Sequence, residues 1–418
     1  MAVVDPPPPT DEGPASYTLT GPLKEAPPPL KHVPVPQGAL ETVRIKLERS
    51  PCNGSCPSYA VELRGDGTVR YEGWSQTLVG GDHTFRIPPE RVACLVEAFR
   101  SADFWSLNND YVAQTTHGSS HKLTLHIGGQ SKTVTDYMGL MVGMPEAVTA
   151  LEDAVDRVAG NRFARGDSET LVSLREEHFD FRSPEAASIL ARAAKSAPEP
   201  FVLGMLAEGT PPTGRISVKW DPRWPLPTGL QLASRAGRAS VARALIDAGA
   251  MSAQADEKDI ALRNAVEAGS PATVAEILKS GANPNVPDKN GAPLIVLARE
   301  ARLYGGPPQI DVPGVLRLLI AAGADPSKRD RNGSTALHLA TGAEVVELLL
   351  AAGLDIEARD GQGRTPLLTA NDDEASLALI KAGADITVTN DGGTVLEGAI
   401  HENFRKTIDE LGRRGVKH

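Results

Sequence analysis

The chain is short of several things that would classify it at once. Among 418 residues there are three cysteines, and 43 Lys or Arg face 53 Asp or Glu for a formal net charge of −10. Residues 1–160 hold 13 basic and 19 acidic side chains and the remainder 30 and 34, so neither part is basic. Nucleic-acid binding driven by phosphate neutralisation is thereby disfavoured. No apolar run approaches the roughly 18 residues a membrane span needs. The start, Met1 to Asp5 and then Pro6 to Pro9, lacks the basic and apolar regions of a secretion signal. There is no G-x-S-x-G, H-E-x-x-H, Walker loop or dinucleotide fingerprint, so no catalytic residue, cofactor or metal is expected.

What the chain does have is a repeat. The stretch from Asn332 to Gly353 recurs in variant form before and after itself, and a period of about 20 to 50 residues means stacked units. Helix ends with a small-residue turn place Gly249, Gly281, Gly323, Gly353 and Gly383 at spacings of 32, 42, 30 and 30 residues. Each glycine sits where a helix stops in a left-handed conformation. Tips rich in Asp, Asn, Gly, Lys and Arg follow, at Pro287 to Gly291, Arg329 to Gly333 and Arg359 to Gly363. They read as hairpin turns.

Thr335 to Ala340 and Thr365 to Ala370 then open the first helix of each unit, with Thr as N-cap and Pro366 at the first helical position. These features resemble the ankyrin repeat family, over residues 228 to 392. The resemblance implies a turn and two antiparallel helices per unit of about 33 residues, with T-P-L-H-x-A as signature. It places His338 at the signature His, where the family ties neighbouring units together by hydrogen bonds.

Taken in order, residues 1–41 read as a disordered Pro-rich tether, with eleven prolines in the first 38. Such a start often follows a removed signal or lipid-attachment site. A signal- or lipid-derived tether and an extracytoplasmic (periplasmic or lipoprotein) location are therefore expected in preference to the cytoplasm. Residues 42–160 alternate with period two around Ile45, Leu47, Val61, Leu63, Val69 and Tyr71, and Gly65-Asp66-Gly67 marks a hairpin. A fourth strand runs over 83–87, a helix over 88–99 with Val92, Leu95, Val96 and Phe99 inward, and strands over 122–127 and 131–135. A helix over 145–158 turns Val148, Leu151, Val155 and Val158 inward. This predicts a small α+β domain. Residues 161–227 hold connecting helices and a degenerate first repeat, with a segment bearing Trp220 and Trp224 in place of a tip. Residues 228–418 hold the remaining repeats and a C-terminal cap, about seven units in all. The fold class expected is multi-domain: a small α+β domain, then an all-α ankyrin-repeat solenoid.

Cys52 to Tyr59, Gly65 to Gly73 and Val134 to Tyr137 together resemble a bacterial domain family of unknown function marked by C-x-G-x-C-P-x-Y, over Val43 to Gly160. That resemblance implies a boundary and no activity. A Cys52–Cys56 disulfide would staple a short turn in an oxidising compartment, whereas free thiols would suit the cytosol. A metal reading needs His117 and His121 as further ligands, and a nucleophile reading pairs either cysteine with His83 or His117. Cys94 is expected as a small buried apolar side chain on its helix.

The function expected is a non-enzymatic interaction module that binds a protein partner on the concave ankyrin surface. The candidate partner-binding residues are Asp288, Lys289, Asn290, Arg329, Asp330, Arg331, Asn332, Arg359, Asp360, Gln362, Asn390 and Asp391 at the tips. Tyr304 joins them from the insertion around Leu303 to Pro313. One alternative is an envelope-localised inhibitor or immunity-type protein. The other is a thiol- or metal-dependent enzyme whose repeats recruit its substrate.

Overall fold

The computed structural model describes residues 31–52, 56–115, 118–216, 226–252, 256–287, 311–390 and 393–416. The segment bearing Trp220 and Trp224, His117 and most of the insertion after Leu303 lie outside them. The chain divides into two compact units. The first runs to Cys56 and includes Ala60–Arg70 and Arg86–Val158; the second takes Pro57–Tyr59, Tyr71–Phe85 and everything from Ala159.

Seven strands form one sheet: β1 (Arg44–Arg49), β2 (Ser58–Arg64), β3 (Thr68–Ser75), β4 (Gly81–Arg86), β5 (Asp110–Val112), β6 (Ser120–Ile127) and β7 (Gln130–Tyr137), in the order β4-β3-β2-β1-β6-β7-β5. β5 is an addition to the sequence reading. At three residues it is too short to show a period, and it pairs parallel to β7, with Tyr111 opposite Asp136. β1 and β7 flank β6 antiparallel. Ile45, Leu47, Leu123, Leu125 and Val134 share one buried face, as strand alternation dictates.

In the first unit α1 (Pro89–Ser101) and α2 (Glu146–Val155) pack together, with Val92, Leu95, Val96, Phe99, Val148, Leu151 and Val155 buried. Val158 is only half-buried, because the backbone loosens into a π turn over Asp156–Gly160. Cys94 is exposed, against the expectation of burial: it lies off the stripe formed by Val92, Leu95, Val96 and Phe99. Residues 31–39 are held against the unit rather than free. His32 Nδ1 is 3.0 Å from Asp103 Oδ2, and the Val33 N–H donates to Ser106 Oγ at 2.7 Å.

In the second unit the hairpin 71–85 packs around Phe163. The Leu78 and Val79 N–H groups donate to the carbonyls of Ala164 and Phe163, and the His83 ring stacks on Phe163 at 4.0 Å. Helix pairs then follow in series. They are α3 (Asn161–Ala164) with α4 (Ser168–Glu176), α5 (Pro184–Ser196) with α6 (Glu199–Ala207), α7 (Gly229–Arg235) with α8 (Ala239–Asp247), and α9 (Glu257–Glu267) with α10 (Pro271–Lys279). α11 (Val312–Ala321) comes next, then a 3-10 turn Ala336–Leu339 with α12 (Ala343–Ala351), and α13 (Pro366–Thr369) with α14 (Asp373–Lys381). A two-strand ladder, β8 (Thr389–Asn390) and β9 (Gly393–Thr394), precedes α15 (Val395–His401) and α16 (Arg405–Arg413).

Like packs on like. First helices α5, α7 and α9 are successive neighbours, and second helices touch in the order α6, α8, α10, α11, α12, α14, α16. All five repeat glycines have positive φ, from +86° at Gly281 to +100° at Gly383, as a C′ residue requires. The two 30-residue intervals shorten the first helix to four residues each, at 336–339 and 366–369. That shortening changes one expected cap. Thr335 pairs its hydroxyl with His338 Nδ1 at 2.9 Å, but the buried Thr365 hydroxyl has no cap hydrogen bond.

Candidate functional site

The tips are built by aspartates. Asp330 Oδ1 accepts from the backbone N–H groups of Asn332 and Ser334, both at 2.8 Å, and Asp360 Oδ1 accepts from those of Gln362 and Arg364, both at 2.9 Å. This local bonding is what makes Asp a turn-former. Tip is then tied to tip. Arg329 Nη1 donates to the carbonyls of Gly333 and Arg359, and the Gly361 N–H donates to the Asn332 carbonyl at 2.7 Å.

Among the sequence-named residues, Arg329, Arg331, Asn332, Arg359 and Gln362 are exposed and Asp330 and Asn390 half-exposed. Asp360 is 7% exposed and committed to its tip and to Arg364, whose Nε lies 2.9 Å from its Oδ2. Burial alone would raise the Asp360 pKa, but the hydrogen bonds from Arg364 and Gln362 outweigh it and hold the carboxyl below its ordinary value. Asp288, Lys289, Asn290, Tyr304 and Asp391 lie outside the described residues.

Two of the named residues, Asp330 and Asn332, border a cleft of about 830 Å³ that runs past Leu368 and Asn371 to His401, Glu402 and Phe404. Buried His338 lies at its wall. Asp330, Glu397 and Glu402 make the lining acidic, and Arg364, the basic side chain there, is paired with Asp360. Leu339, Leu368 and Phe404 add partly exposed apolar surface.

The first unit holds a second cluster. Arg49, His121 and Asp136 are register partners across β1, β6 and β7, so they form one row on the face that buries Leu47, Leu123 and Val134. α2 lays Glu152 on that row. His121 Nδ1 is 2.7 Å from Glu152 Oε2 and 3.8 Å from Asp136 Oδ2, and its Nε2 is 2.9 Å from Ser119 Oγ. Arg49 bonds Asp156 through Nε at 2.9 Å and Nη2 at 2.7 Å, and its Nη1 lies about 3 Å from both ring nitrogens. Asp136 is held in place by the Gly139 N–H, which donates to Oδ1 at 2.7 Å. Only glycine fits there, since an added Cβ would meet Met144 Sδ at 2.7 Å and Tyr111 Cβ at 2.9 Å.

Of this row the sequence reading singled out His121 alone. A signal was available: Arg49, His121 and Asp136 each continue the inward parity of their strands, and Glu152 lies on the inward stripe of its helix with Val148 and Val155. Charge at an apolar parity position is the mark of a cluster.

The cysteine readings change. Cys52 and Cys56 form a disulfide, so neither sulfur is a thiolate ligand or nucleophile in this structure. His83 is engaged elsewhere, with Nδ1 2.7 Å from Glu177 Oε2 and Nε2 3.1 Å from the Gly80 carbonyl. Among the described residues no helix is long and apolar enough to cross a membrane.

Comparison with known proteins assigns both parts. No curated protein was found to match the chain. Residues 43–159 match the family described as "Domain of unknown function (DUF6438)", and residues 311–408 match "Ankyrin repeats (3 copies)". The chain therefore carries a domain of the DUF6438 family followed by ankyrin repeats.

Proposed function

We propose that the protein is a non-enzymatic interaction module whose helix pairs stack as a solenoid and hold another protein on its concave side. The observation that carries this reading is the cleft between Asp330 and Phe404: its size, its acidic lining and its apolar floor. A rigid, preformed surface avoids ordering costs on binding, and its charge selects the partner. The partner is read as a protein segment presenting basic side chains around an apolar anchor. The exposed tip residues Arg329, Arg331, Arg359 and Gln362, outside the cleft lining, are read as further contacts to the partner.

The Cys52–Cys56 disulfide supports an oxidising, extracytoplasmic setting, which is where the inhibitor or immunity-type version of this reading belongs.

The test is site-specific photo-crosslinking in the native cell. A benzophenone side chain at exposed Asn371, in the cleft, should trap one protein species, and the same group at exposed Glu347 on α12 should not. With the trapped protein purified, Asp330→Ala with Glu402→Ala should weaken binding about tenfold, or about 1.4 kcal/mol. Identical products from both positions, or none from Asn371, would refute the reading.

A further inference from the structure

The geometry points to a divalent transition-metal site in the first unit, with His121, Asp136 and Glu152 as its ligands. One imidazole and two carboxylates present ligand atoms that all lie within 4.8 Å of one another. A tetrahedral ion of zinc size holds its ligands about 3.4 Å apart. The observed 2.7 Å from His121 Nδ1 to Glu152 and 3.8 Å to Asp136 straddle that value, and the third separation is within 4.8 Å, so closure needs shifts of no more than about 1.4 Å. Two carboxylates with one imidazole suit Zn²⁺ or Mn²⁺ rather than a soft, thiolate-seeking ion.

Two observations separate this cluster from a plain ion-pair network. The first is an orphaned atom: Glu152 is 1% exposed, yet its Oε1 has no hydrogen-bond partner among the described residues. A network built for stability alone would give that oxygen a donor. The second is charge. Arg49 is matched by Asp156, whereas among the described residues Asp136 has no Lys or Arg partner and Glu152 has only Arg49 Nη1 at 3.8 Å. Two buried carboxylates facing one imidazole balance a divalent cation.

The supports around a ligand set are present too. Ser119 Oγ fixes the far ring nitrogen and the Gly139 N–H fixes the far oxygen of Asp136, so Nδ1 and Oδ2 face the cluster, where Arg49 Nη1, 3.0 Å from Nδ1, gives way as the ion enters. Nδ1 now donates its hydrogen to Glu152. On binding, the ion takes the place of that proton, which leaves to solvent. The imidazole is partly exposed and gives the ion its entry.

The test uses the full chain, freed of metal with a chelator and then exposed to ZnCl₂ or MnCl₂. Calorimetry and native mass spectrometry should show one ion per chain. The zinc absorption edge should fit nitrogen and oxygen ligands without sulfur. Glu152→Gln and Asp136→Asn should each weaken uptake at least tenfold, and Glu41→Gln, at an exposed position of the same unit, should leave it unchanged. Asp136→Asn keeps the oxygen that accepts from Gly139, so its circular dichroism should match the parent and separate lost binding from lost folding. No uptake by the parent, or equal uptake by the parent and both variants, would overturn the site. Neither result bears on the ankyrin cleft.

Discussion

His338 bonds Arg364 across two successive repeats: its Nε2 donates to the Arg364 carbonyl at 3.1 Å. The donor assignment follows from the other nitrogen, Nδ1, which accepts from the Thr335 N–H at 3.2 Å. One 2%-exposed side chain therefore closes the start of its own short helix and ties that unit to the next. His338→Leu would leave the Arg364 carbonyl and the Thr335 N–H unpaired in the interior and should destabilise the repeats by about 1–3 kcal/mol. Urea denaturation followed by far-ultraviolet circular dichroism measures it, and a loss below about 0.5 kcal/mol would show the tie to be dispensable.

The same residue sets a pH dependence. Burial lowers the pKa of His338, and the Arg364 and Asp360 contacts only partly offset that. The unfolded chain takes up the proton near pH 6.5 while the folded chain stays neutral to lower pH, so the unfolded state binds more protons in that interval. Stability should fall as pH drops from about 6.5 towards 5, and the fall should be smaller in His338→Gln. Equal slopes for parent and variant would remove His338 as the source.

Asp330 and Asp360 occupy equivalent tips but differ in burial, and the difference should be measurable. Asp360→Ala strands the Gln362 and Arg364 N–H groups and the Arg364 guanidinium, for an expected loss of about 2 kcal/mol, against about 1 kcal/mol or less for half-exposed Asp330→Ala. Because the folded pKa of Asp360 is depressed, its contribution holds above about pH 4 and is lost below it. Denaturation midpoints of the two variants at neutral pH decide the order.

Two glycines separate backbone cost from steric cost. Gly353 has φ +88° with open space where a Cβ would go, so Gly353→Ala should cost about 1 kcal/mol from the left-handed conformation alone. At Gly65 a Cβ would come within 1.5 Å of the Leu40 carbonyl oxygen, so the backbone must move and Gly65→Ala should cost about 3 kcal/mol or more. Thermal melts that rank them the other way would contradict the packing described at Leu40.

Whatever depends on near neighbours is legible in the order of the amino acids. A glycine after each second helix reports a left-handed C′ residue without any tertiary information, and Gly249, Gly281, Gly323, Gly353 and Gly383 all adopt it. Strand alternation marked Ile45, Leu47 and Val61 as buried before any partner strand was known. The rest arises on folding, which brings together residues far apart along the chain. The register of β1, β6 and β7 places Arg49 beside His121 and His121 beside Asp136, and α2 adds Glu152. Phe163 gathers Tyr71, His83 and Phe85 around one ring. Burial likewise makes Asp360 a structural carboxylate where Asp330 faces the cleft. Local conformation is written in adjacent residues, whereas the meeting of polar groups across strands depends on pairing and burial that no local pattern encodes.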